Sequence, residues 1–229
     1  MASVFLQKKG LENAKKYLNK SLFLPQVYRK IEVDDINYID EEFEEIRKKY
    51  KFLFIFVGGI TIISYAIKES VLAFRYLDKN DFAFVILGGG DYLNEILSTI
   101  KENNISNVFY LGFKKKVLIR NYYLRKADVL VVPCSFEFKV DFSSNKLIDY
   151  LEQRKPIITI GYNLHELVNE LGFVITDRDP EIIAKKIMEI VNMDSKDING
   201  KIEKGYRYLI QELDYKVAAK KLYSFINSL

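Results

Sequence analysis

Short runs of unbroken hydrophobicity punctuate the chain, and each ends in glycine or proline. Residues 52–57 stop at Gly58-Gly59, 82–87 at Gly88-Gly89-Gly90, 108–111 at Gly112, 129–132 at Pro133 and 157–160 at Gly161. A shorter run follows at 173–175. The runs are rich in β-branched and aromatic residues and lack polar alternation, which predicts strands buried on both faces, as in a parallel sheet. Amphipathic stretches separate them at 66–77, 92–103, 117–126 and 146–153, with a short piece near 165–170. Strand and helix alternating in this way predict an α/β fold, a doubly wound Rossmann-like parallel sheet with helices on both faces.

The last third is patterned as helix. Asp179-Pro180-Glu181 reads as a helix start, with aspartate capping and proline at the first helical position. Ile182, Ile183, Ile187, Ile190 and Val191 then recur at helical spacing. Asn199-Gly200 is expected to break the pattern, which resumes over 206–213 and 215–229. The first 45 residues differ: a basic amphipathic stretch at 11–18, an apolar run at 22–24 before Pro25, and acidic residues over 32–45. We read 1–45 as a lead-in strand and linker, and 46–229 as one Rossmann-like domain with a helical C-terminal tail.

Composition narrows the classes. With 229 residues, 49% hydrophobic and 29% charged, the chain suits one large soluble domain or two small ones. Lys and Arg number 35 against 31 acids, a net charge of +4 with the signs interspersed. That argues against nucleic acid as a partner and against a polybasic membrane tail. One cysteine, Cys134, excludes an intramolecular disulfide and fits a reducing compartment. One histidine, His165, excludes a multi-His metal site. No targeting segment is visible, and the longest apolar tract (52–67) is interrupted by Gly58, Gly59, Thr61, Ser64 and Tyr65. It falls short of the roughly 18 apolar residues of a membrane span, so the chain is not expected to be transmembrane.

In an open parallel sheet, ligands settle at the carboxyl ends of the strands. Gly58-Gly59-Ile60-Thr61 and Gly88-Gly89-Gly90-Asp91 lie there, and bare backbone at such points can approach a phosphate. Neither loop is a dinucleotide fingerprint or a P-loop, and tight strand-to-helix turns account for them equally well. The segment 141–151 carries more information. Ser143 or Ser144 can cap the helix, so the N–H groups of Asn145 and Lys146 open its first turn. Leu147, Tyr150 and Leu151 share one face, while Asn145 and Asp149 share the opposite one. A helix start bearing Ser, Asn and Lys suits a diphosphate, and a carboxylate one turn on suits vicinal hydroxyls such as those of a ribose. A solvated helix face with ordinary capping fits the same spacing. Cys134 and His165 are expected to be structural.

From Phe52 to Ile187 the chain resembles the C-terminal, donor-binding lobe of the GT-B retaining glycosyltransferases of family 4. Phe54-Ile55-Phe56-Val57-Gly58-Gly59 is similar to that family's opening strand and glycine loop, and Phe84-Val85-Ile86-Leu87-Gly88-Gly89-Gly90 to its second. The stretch from Asn107 to Gly112-Phe113 resembles its "N-V-x-F-L-G" strand, and that from Ala127-Asp128 to Pro133 its "A-D-V-x-V-x-P-S" strand. Asn145-Lys146-Leu147-Ile148-Asp149-Tyr150-Leu151, then Lys155-Pro156, resembles "S-x-K-L-x-E-Y-L-A-x-G-K-P". Glu166-Leu167-Val168 and Gly172-Phe173-Val174 look like its later "E-L-V … G-x-x-V".

The resemblance implies a hexosyltransferase acting on a UDP- or GDP-linked sugar with retention, without a metal or other cofactor. Asp141 and Asp149 match the spacing of the family's paired glutamates. Asp141 would then contact the donor sugar as the catalytic carboxylate, and Asp149 would hold the ribose. Ser144, Asn145 and Lys146 would meet the diphosphate, Gly58 and Gly59 would admit it, and Gly112-Phe113 would lie along the base. The family's arginine after the first glycine and its lysine about five residues on are replaced here by Gly59 and the uncharged 60–65, and Lys68 is the nearest cation. Phe142 and Ser144 stand where glycines usually follow the first carboxylate. Two alternatives follow: a non-catalytic nucleotide-sugar or partner-binding module of this fold, and a sugar-nucleotide epimerase. The length leaves no room for an acceptor lobe, so an N-terminal-lobe partner or a homo-oligomer is expected. The acceptor would be a glycan, a lipid or a protein, and the location cytoplasmic or peripheral to the membrane.

Overall fold

The computed structural model describes residues 2–5, 20–24, 27–30, 38–61, 66–137, 145–162 and 168–228. Six of the hydrophobic runs are strands of one sheet: β3 (Phe52–Gly59), β4 (Phe82–Gly89), β5 (Val108–Tyr110), β6 (Val129–Pro133), β7 (Ile157–Ile160) and β8 (Phe173–Ile175). They lie in the order β5-β4-β3-β6-β7-β8 and every pair is parallel. Side chains alternate across the sheet, and both faces are apolar. Leu53, Ile55, Val85, Leu87, Leu130 and Val132 enter one core, and Phe54, Phe56, Phe84, Ile86, Val129 and Val131 the other. Two buried faces explain why the runs show no polar alternation. The second core is strongly aromatic, with Phe74 stacked on Phe84 at 4.9 Å and edge-on to Phe54 at 5.3 Å.

The helices follow the expected alternation: α2 (Ile67–Ala73), α3 (Leu93–Glu102), a helical segment α4 over 116–126, α5 (Asn145–Glu152) and a short α6 (Val168–Leu171). Three features depart from the sequence pattern. The acidic stretch read as linker ends in a helix, α1 (Glu41–Lys49), capped by Asp40 and burying Phe43 and Ile46. Asn199-Gly200 does not break the tail, because α8 (Ser195–Glu212) runs through it on an open face where a Cβ on Gly200 would touch nothing. The lead-in holds two strands, β1 (Ala2–Phe5) and β2 (Lys20–Phe23), paired in parallel with each other. α7 (Pro180–Val191) begins at the predicted Asp179 cap, and α9 (Tyr215–Ile226) closes the chain.

Two contacts position the site. The chain leaves β3 outward to β4 and β5 and returns to β6 beside β3, so the direction of winding reverses between β3 and β6. β3 and β6 pair only over Phe54↔Val129 and Ile55↔Leu130. Beyond that point they part, and the buried Tyr150 hydroxyl of α5 bridges them: Val57 N–H donates to it at 3.0 Å and it donates to Val131 C=O at 3.3 Å. Asp128, from the Ala-Asp-Val motif, is structural; its carboxylate accepts from Leu53 N–H at 2.8 Å and pairs with Arg47 at 3.0 Å.

Candidate functional site

At the point where the strands part, a cavity of about 240 Å³ opens at their carboxyl ends. Val57 and Gly58 of β3, Lys116, Ile119 and Leu124 of α4, and Lys146, Asp149 and Tyr150 of α5 line it. Three of the residues singled out in the sequence (Gly58, Lys146 and Asp149) therefore meet in one pocket. They converge because α5 follows β6, β3 is its neighbour, and the Tyr150 hydroxyl pins the helix to both strand ends.

Lys146 is half-buried, with its ammonium end against the Phe56 ring. Its Nζ lies 4.6 Å from the centre of the Phe56 ring, and a Cβ on Gly58 would come within 2.6 Å of that nitrogen. Gly58, at φ +155°, therefore leaves room for the lysine along the strand edge. Burial pulls the ammonium pKa down to about 8. Asp149 is 16% exposed and its carboxyl sits above the usual carboxylate range. Burial is the main cause and Glu152 adds to it, while Lys116 and Arg120 pull the other way.

The lysine run 114–116 divides its work. Lys114 pairs with Asp40 at 2.8 Å and Lys116 faces the pocket. Burial would raise the Asp40 carboxyl, but bonds from Lys114, the Tyr123 hydroxyl and Phe43 N–H outweigh it and hold it low. Arg120 is a residue that the sequence did not mark. It stands behind Asp149, with Nε 3.2 Å from Oδ1. It sits in a helix interrupted by a π turn (Ile119–Tyr123), which the sequence does not disclose.

The other expected residues are placed as follows. Gly59 lies beside Gly89 at the open end of β3, and among the described residues only Thr61 comes within 4 Å of a Cβ built there. Gly112 has φ +74° with open space around it, and Phe113 is 84% exposed next to it. Gly112 C=O accepts from Gly88 N–H at 3.0 Å, so this turn flanks the first two glycine loops. The Asn145 backbone opens α5, but its side chain, Asp141, Ser144 and His165 lie outside the described residues. Cys134 is buried at the end of β6. Among the described residues, no three His, Cys, Asp or Glu side chains gather as metal ligands, and no helix is long and apolar enough to cross a membrane.

The same fold occurs in known glycosyltransferases. HepE of Anabaena, solved in complex with UDP, superposes with a TM-score of 0.73 at 13% identity over 99% of this chain and 63% of its own. A variant of TarM from S. aureus, in complex with Fondaparinux, α-GlcNAc-glycerol and UDP, gives 0.66 at 13% identity over 98% and 43%. The C-terminal domain of LpcC, a glycosyl transferase group 1 family protein of Francisella tularensis, gives 0.58 at 18% identity over 78% and 96%. The fold is that of the GT-B glycosyltransferases, and the chain spans between 43% and 63% of HepE and TarM. No curated protein sequence matches it. Residues 51–193 match the family model described as "Glycosyl transferases group 1", and the chain belongs to that family.

Proposed function

We propose that this chain is the donor-binding, C-terminal lobe of a retaining glycosyltransferase of family 4 type. It takes a hexose from a UDP- or GDP-linked sugar to an acceptor hydroxyl on a glycan, a lipid or a protein. The observation that carries this is the meeting of Lys146, Lys116 and Asp149 around the bared Gly58 edge at the switch point of the sheet. A departing diphosphate concentrates negative charge as the sugar leaves, and two cations in a recessed pocket stabilise it where it forms. Lys116, from α4, supplies a second positive charge that the uncharged first loop lacks. Asp149 receives the ribose hydroxyls, Asn145 and Ser144 meet the phosphates, and Gly112-Phe113 borders the base. Asp141 contacts the sugar, and no metal takes part. UDP in HepE and TarM supports a nucleoside diphosphate as ligand, and the likeness to the LpcC domain supports the C-terminal placement. The acceptor face comes from a further lobe or partner, and the protein works in the cytoplasm.

One observation favours a second reading, a binding module without transfer: Ile60 and Thr61 after Gly59 bring no charge to the phosphates. Calorimetric titration with UDP, GDP and their glucose conjugates tests the shared premise. Binding should be measurable, and Asp149→Ala or Lys146→Ala should each weaken it by about tenfold or more, the value of a charged hydrogen bond. Absence of binding to every nucleotide would overturn both. Release of free sugar from the bound donor separates transferase from binding module.

A further inference from the structure

Behind the pocket a line of side chains runs from Asp149 through Arg120 and Glu152 to Tyr28. Arg120, 10% exposed, holds two carboxylates with one guanidinium. Its Nε lies 3.2 Å from Asp149 Oδ1 and donates to Glu152 Oε2 at 3.0 Å, and Nη2 donates to the same Glu152 oxygen. The other Glu152 oxygen accepts from the Tyr28 hydroxyl at 2.9 Å. Tyr28 is itself fixed by backbone: its N–H donates to Leu213 C=O at 2.6 Å and its C=O accepts from Tyr215 N–H at 2.8 Å. Those two residues form the joint between α8 and α9.

The charge balance of this line is informative. One arginine serves two carboxylates, and Glu152 is the better satisfied of the pair; Lys116, across the pocket, also acts on Asp149. Among the described residues, none hydrogen-bonds Asp149 Oδ2. Asp149 lines the pocket beside Lys116 and Lys146, whereas Arg120 is not among the lining residues and stands behind it. The π turn that carries Arg120 shifts the helical phase by a residue, which is how a side chain from α4 reaches under α5.

We propose that Arg120 is a positioning residue that engages Asp149 Oδ1, leaving Oδ2 to accept the vicinal hydroxyls of a ribose, and that Tyr28 and Glu152 hold Arg120 in that place. The proposal rests on the nucleoside-diphosphate reading above. It adds that discrimination for the ribose hydroxyls depends on Arg120, and that the α8–α9 joint held by Tyr28 is felt in the pocket.

Titration of the full chain with UDP and with 2′,3′-dideoxy-UDP tests it. The wild type should prefer UDP by about tenfold, since the analogue leaves a buried carboxylate oxygen unpaired. Arg120→Lys, which keeps the charge and loses the planar fork, should lower UDP affinity by about tenfold and leave the dideoxy analogue within about twofold. Tyr28→Phe, which removes one hydroxyl only and so tests the line in a chain expected to fold, should narrow the preference about threefold. A merely structural arginine would weaken both ligands alike when replaced; that result, or an unchanged preference in Arg120→Lys, overturns the proposal. Binding of UDP without any preference in the wild type also overturns it while leaving the nucleotide site standing. A wild type that takes up neither UDP nor GDP sinks the underlying reading as well.

Discussion

Burial of the Lys146 ammonium sets an opposition between stability and ligand affinity. Its pKa falls from 10.5 to about 8 on folding, so below pH 8 both folded and unfolded chains carry the charge and the full desolvation penalty is present. Between pH 8 and 10.5 the folded state has released the proton that the unfolded state still holds, and stability rises with pH through that window. Lys146→Met removes the penalty and keeps the packing against Phe56. Relief of about 1 kcal/mol should raise Tm at pH 7 by about 2–4 °C, an advantage that should vanish above about pH 10.5. Nucleotide affinity moves the other way. It should be level below about pH 8 in the wild type, fall above it as the ammonium deprotonates, and be flat with pH in the methionine variant. A variant no more stable than wild type at pH 7 would contradict the desolvation account. At this scale the sequence marked Lys146 and Asp149, because a helix start with a charge one turn on is a local pattern. It could not separate Lys116 from Lys114, since only tertiary packing sends one to the pocket and the other to Asp40. Arg120 was invisible for the same reason: its target is on another helix.

Strand ends, at the scale of elements, are held together by close backbone approach. Gly88 sits opposite Gly58 in register with φ +140°, and a Cβ there would overlap the Gly58 carbonyl oxygen. Its C=O accepts from the Tyr110 hydroxyl at 2.8 Å and its N–H donates to Gly112, so it has no room to move aside. Gly88→Ala therefore adds steric overlap to left-handed strain and should lower stability by about 2–4 kcal/mol. Gly112→Ala meets open space at φ +74° and should lose only the backbone contribution, about 1–2 kcal/mol. Urea midpoints compare the two, and equal losses would show that crowding is not what selects glycine at 88. The strands were legible because continuous hydrophobicity over a run of that length, in a charged chain, arises chiefly where a strand is buried on both faces. α1 was not, although its signals are present: an Asp40 cap, acids in the first turn and Arg47, Lys48 and Lys49 in the last. With only Phe43, Ile46 and Tyr50 facing inward, its apolar stripe is too thin to stand out from a charged linker. α8 shows the converse. Gly200 lies on an exposed side where the roughly 1 kcal/mol lost to glycine is tolerated, while Gly205 lets the helix approach Leu151 of α5.

For the whole molecule, the pocket is built from segments distant in sequence: 57–58, 116–124 and 146–150. Two of them also touch the cores on which the sheet depends, since Tyr150 bridges β3 to β6 and Leu124 packs with Tyr123 and Leu130 in one core. Tyr28 further joins the lead-in to the α8–α9 joint and to Glu152. Separating these elements would destroy the site for a ligand spanning Gly58, Lys116 and Asp149. Its binding energy should therefore appear in the stability of the chain as a unit, not of one local part. UDP at about 100 times its dissociation constant should contribute about 2.7 kcal/mol, which in a chain of this size raises Tm by about 5–10 °C. Calorimetry should show one transition that shifts intact with UDP. Two transitions, of which UDP moves only one, would mean that the elements around the pocket melt apart from the rest and that the ties through Tyr28 and Tyr150 do not couple them. Asp149→Ala, at the same UDP concentration, should cut the shift to about half or less without splitting the transition, because it removes the contact to ligand and leaves Tyr150 between the strands.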